Sequence, residues 1–189
     1  MRAAGHLVFW YIFAALSIGS CGSKGTKPDD DHPNLLLNGS FEVDGNPSLA
    51  GWAGIDSVLI SLSPEAPPGG GIYCLTLGTS WLPPSSVVWA LIPGVKAGEV
   101  LVLSATVRTP VWGNGGALAL TVGPTPWQWP PRVHGKGLTF NNTSWSSLSV
   151  VDTVSLGPVD SVWVVLQGPA CEVCIGGPAQ FDLISVRRQ

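Results

Sequence analysis

Charge is scarce in this chain. Only 11% of its 189 residues are Asp, Glu, Lys or Arg, and the formal net charge is −3. A surface that holds phosphates needs a basic face, so this balance excludes a nucleic-acid partner. No glycine-rich loop of the phosphate-cradling kind is found, and no repeat at a solenoid period. Helical periodicity with caps is missing as well. Histidine is nearly absent: beyond the first residues there are only His32 and His134. A hydrolytic nucleophile would lack a base held by a third group. The acids Glu42, Asp56, Glu65, Glu99, Asp152, Asp160, Glu172 and Asp182 are scattered, with no facing pair of the kind glycoside hydrolysis needs. These absences argue against an enzyme.

What is present points to strands. Apolar residues make up 45% of the chain, too many for a disordered protein, and 24 Gly and 17 Pro punctuate them. Residues 1–20 have the form of an export signal: Arg2 leads, Leu7–Leu16 is almost unbroken apolar chain, and small residues follow. The apolar stretch is short for a membrane span. Ile18-Gly19-Ser20-Cys21 is similar to a bacterial lipobox, in which Cys21 would become the lipidated first residue. An ordinary cleaved signal with a chance cysteine is the other reading. Residues 21–33 hold nothing apolar beyond Cys21 and read as a solvated tether; the Asp29-Asp30-Asp31-His32 run is a solvated charge run rather than a metal site. The expectation is an exported protein anchored to a membrane by lipid, in the periplasm or on the cell surface.

Residues 34–189 form the expected domain. Predicted strands are Leu35–Leu37, Val58–Leu62, Ile72–Leu77, Val87–Ile92, Val100–Arg108, Leu118–Val122, Leu148–Val154, Val162–Gln167 and Gln180–Val186. Turn chemistry such as Pro67-Pro68-Gly69-Gly70-Gly71, Pro93-Gly94 and Asn114-Gly115-Gly116 separates them. This pattern suits an all-β, two-sheet antiparallel sandwich.

Strand phase sorts the candidate contact residues. In Val100–Arg108 the alternation places Leu101, Leu103, Ala105 and Val107 in the core and Arg108 on the other face. In Val162–Gln167 it leaves Trp163, Val165 and Gln167 outward. Trp89 shares a face with Val87 and Leu91, although both faces of that strand are apolar. Sugars stack their C–H faces on flat aromatic rings and need hydrogen bonds at the rim. Trp163, Gln167, Arg108 and Trp89 are therefore candidates for one outer, concave ligand face. Trp112, Trp127 and Trp129 lie in loops, the last two stiffened by Pro130-Pro131. Burial is the competing role for any of these rings. Val102, Val165, Val87 and Leu91 would make the outer positions apolar enough for a protein partner instead.

Four motifs carry a family resemblance. Asn34–Trp52, NLLLNGSFEVDGNPSLAGW, resembles the opening of carbohydrate-binding modules of families 4, 9 and 22 and their galactose-binding-like relatives. Pro93–Arg108, Thr143–Leu148 and Ala179–Val186 resemble later family segments, in the same order. The resemblance implies a jelly roll, non-catalytic binding of a polysaccharide, and core roles for Trp52 and Trp145. It also implies a structural calcium between the first and last strands, held by Glu42 and Asp182. Main-chain oxygens of Ser40 and of the 69–72 loop would be further ligands. Otherwise Glu42 faces water and Asp182 caps a turn. An interaction lipoprotein without a sugar site is the alternative function.

The cysteines beyond Cys21 are Cys74, Cys171 and Cys174. An odd number allows at most one bridge. Export favours a local Cys171–Cys174 disulfide, with Cys74 buried in a strand; a bridge from Cys74 to either is the alternative.

Overall fold

The computed structural model describes residues 32–55, 57–79, 86–111, 115–126, 134–169 and 177–189. Twelve strands occur among them: β1 Glu42–Val43, β2 Asn46–Pro47, β3 Ala53–Ile55, β4 Ile60–Ser63, β5 Cys74–Leu77, β6 Val87–Ile92, β7 Val100–Arg108, β8 Gly116–Gly123, β9 His134–Phe140, β10 Ser146–Thr153, β11 Ser161–Gln167 and β12 Ala179–Arg188. One sheet runs β10-β7-β12-β5-β4, the other β3-β6-β11-β8-β9, and β1-β2 form a small hairpin. All pairings are antiparallel. The fold is the expected all-β sandwich.

The core lies between the two five-stranded sheets. β7 alternates as predicted, with Leu101, Leu103, Ala105 and Val107 buried. β11 supplies Val162, Val164 and Leu166, and Phe140 meets Phe181 edge to face at 5.3 Å. The β6 ambiguity resolves the same way: Val88, Ala90 and Ile92 join the core cluster, while Trp89 and Leu91 point away. A two-residue Asp44-Gly45 turn joins β1 to β2, both residues at positive φ, the conformation a tight hairpin requires.

Three expectations about elements need correction. Leu35–Leu37 is no ladder strand. It runs along β12 through the Leu35 amide to the Val186 carbonyl (2.8 Å) and the Ile184 amide to the Gly39 carbonyl (2.8 Å). Asn34 Oδ1 supplements these, accepting from the Leu36 and Val186 amides. A β-bulge in β12 between Asp182 and Ser185, with Leu183 at φ 51°, interrupts regular pairing there. The start of Val58–Leu62 is a short 3₁₀ turn, Ser57–Leu59. Finally, β9 and β3 were not predicted: β9 (HGKGLTF) has no apolar alternation because it is an exposed edge strand.

Candidate functional site

The outer face of the β3-β6-β11-β8-β9 sheet gathers three of the seven predicted contact residues, Trp89, Trp163 and Gln167. Cross-strand register sets them in rows. Trp163 lies between Leu91 and Thr121. The next row runs Ala53, Trp89, Val165, Ala119, Gly137, and the third places Gln167 between Val87 and Ala117. Because Val165, not Trp163, is opposite Trp89, the two tryptophans occupy diagonal positions, which lie about 7–8 Å apart along a sheet. Both rings are half-buried, so each keeps surface for a ligand. Trp163 Nε1 donates to the Gly123 carbonyl at 3.2 Å, which fixes that ring. No described side chain in these rows is charged, and Leu91 is 49% exposed. Thr121, which phase reasoning on β8 did not single out, adds a hydroxyl beside Trp163, where it donates to the Pro126 carbonyl at 3.5 Å.

Arg108 is not part of this face. It stands on β7, in the opposite sheet, so the single concave cluster of Trp163, Gln167, Trp89 and Arg108 does not exist. Sequence phase gives the side of a strand that faces outward but not which sheet the strand joins. Arg108 instead donates from Nε to Gln180 Oε1 (2.6 Å) and from Nη2 to Glu65 Oε2 (2.8 Å). Its guanidinium lies 4.7 Å from the Trp145 ring centre. Trp145 is thus an outside partner of Arg108 and not a member of the core cluster. Trp52 does pack on the core, 5.2 Å from Phe41, with Nε1 donating to the Asn38 carbonyl. Trp112, Trp127, Trp129, Cys21, Cys171 and Cys174 lie outside the described residues. Cys74 is buried and its thiol is free.

A second cluster lies where the N-terminal segment meets β12. Glu42 Oε1 accepts hydrogen bonds from the Ile72 and Tyr73 amides. Asp182 is fully buried; Oδ1 accepts from the Leu183 amide, while Oδ2 has no hydrogen-bond partner. The two acids interact: burial pushes the Asp182 carboxyl up to about 7, opposed by the Leu183 amide, and the Glu42 charge adds to the rise. A Cβ on Gly70 would come 2.4 Å from Asp182 Oδ2, and one on Gly71 would overlap the Glu42 carboxylate. The backbone of this loop is therefore pressed against both acids as only glycine permits. Ser40 is half-buried in the turn beside Glu42.

This donor set fits a hard cation. An orphaned buried carboxylate oxygen on Asp182 and the Glu42 carboxylate are oxygen ligands of the kind calcium takes, and the glycine loop brings backbone close to both. Among the described residues no group of three or more His, Cys, Asp and Glu is gathered, so backbone carbonyls would have to complete the shell.

No family model matches this chain, and no curated protein is significantly similar to it in sequence. Solved structures do match. A family 16 carbohydrate-binding module aligns at a TM-score of 0.57 and 20% identity, over 81% of this chain and 99% of its own. The CBM22-1 xylan-binding domain of Xyn10C from Paenibacillus barcinonensis aligns at 0.56 and 16% identity, over 83% and 95%. An arabinose-bound α-L-arabinofuranosidase aligns at 0.53 and 19% identity, over 82% of this chain but 26% of that enzyme. The chain therefore has the jelly-roll fold of carbohydrate-binding modules.

Proposed function

We propose that this protein is a non-catalytic glycan-binding module that takes its ligand on the outer face of the β3-β6-β11-β8-β9 sheet. One observation carries the reading: Trp89 and Trp163 stand as diagonal neighbours, half-buried, on an uncharged sheet face. Stacking on such rings is how the apolar faces of sugars are held, with Gln167 and Thr121 placed for hydroxyls. The likeness in fold to carbohydrate-binding modules supports it. In this reading calcium at Glu42, Asp182 and the Ser40 and 69–72 backbone is structural. It ties the N-terminal segment to the last strand and contacts no sugar. Export and a lipid anchor at Cys21, with 21–33 as tether, complete the proposal.

The apolar content of the same face supports a second reading. Leu91 is exposed and Ile55 half-buried near the indoles, apolar surface that suits a protein partner, whereas Val87 and Val165 in the same rows are buried.

Calorimetric titration with soluble polysaccharides, with calcium and with chelator, separates the two. Binding that is lost in both Trp163→Ala and Trp89→Ala, with melting temperatures near that of the wild type, is the expected result. Heat that survives both substitutions would place the sugar elsewhere. No heat with any glycan would favour the protein partner.

A further inference from the structure

Segment 64–73, which links β4 to β5, carries the glycines that press on Glu42 and Asp182. Pro67–Gly70 is a tight turn closed by the Gly70 amide on the Pro67 carbonyl (2.9 Å), with Gly69 at φ 84°. The Ala66 amide to the Ile72 carbonyl (3.4 Å) closes the loop behind it. The far limb is pinned by Glu42 itself, through the Ile72 and Tyr73 amides. The near limb is pinned by Glu65. Its Oε2 accepts from Arg108 Nη2 at 2.8 Å and from Gln180 Nε2 at 3.0 Å.

The buried member of this group is Gln180. Gln180 is 2% exposed and uses both ends of its amide, accepting from Arg108 and donating to Glu65 and to Thr76 Oγ1 (3.2 Å). The Arg108 fork is committed to Gln180 and Glu65, and its flat face to Trp145. Gln180 and Asp182 are two residues apart on β12, so anchor and metal carboxylate ride on one strand.

We infer that Glu65 and Arg108 are positioning residues of the cation site: they fix the near limb of the 64–73 loop so that its backbone carbonyls meet Glu42 and Asp182. This rests on the calcium reading above, and it moves Arg108 from the ligand face to the metal. Neither residue is a ligand. Partners behind the ligands commonly govern metal affinity by holding geometry.

The test is calcium titration of the full chain by calorimetry, paired with melting in calcium and in chelator. Glu65→Gln keeps size and removes the charge that grips Arg108; Arg108→Gln removes the fork. Each should weaken calcium about tenfold with the stoichiometry unchanged. Both substitutions should lower the melting temperature more in calcium than in chelator, so that the calcium-induced rise shrinks. Asp182→Asn, a ligand substitution, should abolish binding. Calcium affinity at the wild-type level in both Glu65→Gln and Arg108→Gln would overturn the inference and leave the metal site standing. Equal loss of stability with and without calcium would overturn it too, as a role in the sheet alone. A wild-type protein that binds no calcium would sink the metal reading and the inference together.

Discussion

Asp182 combines full burial with an unsatisfied oxygen. In the metal-free protein its carboxyl is held up to about 7, chiefly by burial, so the folded state keeps a proton that the unfolded chain has released. The sign follows from linkage: stability is fully present below the ordinary aspartate value of 3.8 and is lost as pH rises through about 7. Calcium must displace that proton. Melting temperature in chelator should therefore fall between pH 4 and 7, while the rise produced by calcium grows over the same range. A pH-independent melt in chelator would contradict this. Gly71→Ala should remove most of the calcium response, because its Cβ would sit on the Glu42 carboxylate. Cys74 carries the same kind of burial: its thiol is raised to about 11. It should stay unreactive to a thiol reagent in the folded protein and react once denatured, a difference visible by mass spectrometry.

At the scale of elements, β7 and β12 form the spine of one sheet, and β11 is the centre of the other. Phe181 on β12 is fully buried and packs edge to face on Phe140 from the other sheet. Phe181→Ala should cost about 3–5 kcal/mol in denaturant unfolding, since a large cavity would open where the sheets meet. Strands in the sheet interiors were legible both from strict two-residue alternation, as in Val100–Arg108, and from a short apolar run between turns, as in Val87–Ile92, each found with the bounds it was predicted to have. The edge strands β3 and β9 were not legible, although the edges of the other sheet, β4 and β10, were found in part. Gly135, Lys136 and Gly137 face little core, so nothing in β9 forces a hydrophobic period. Leu35–Leu37 misled in the opposite direction: three leucines read as a buried strand, yet only Leu36 is buried and Leu37 is 77% exposed.

For the whole molecule, the N-terminal segment, β12 and the 64–73 loop converge on one corner, away in sequence and together in space. Glu42 and Asp182 lie at opposite ends of the domain, and their meeting is what the family resemblance implied. The face with Trp89 and Trp163 was legible in half: phase gave the outward side of β11, while β6, apolar on both faces, was settled only by packing. The placement of Arg108 was not legible, because β7 alternates identically whichever sheet it enters.

Local chemistry thus determined the class of fold. Alternation along single strands, and glycine and proline between them, need no distant partner to be read. Tertiary structure alone decided which outward residues share a face, since sheet order arises from pairing strands far apart in sequence. It also decided that Arg108 grips Glu65 and Gln180 instead of facing a ligand, a contact spanning 43 and 72 residues of chain.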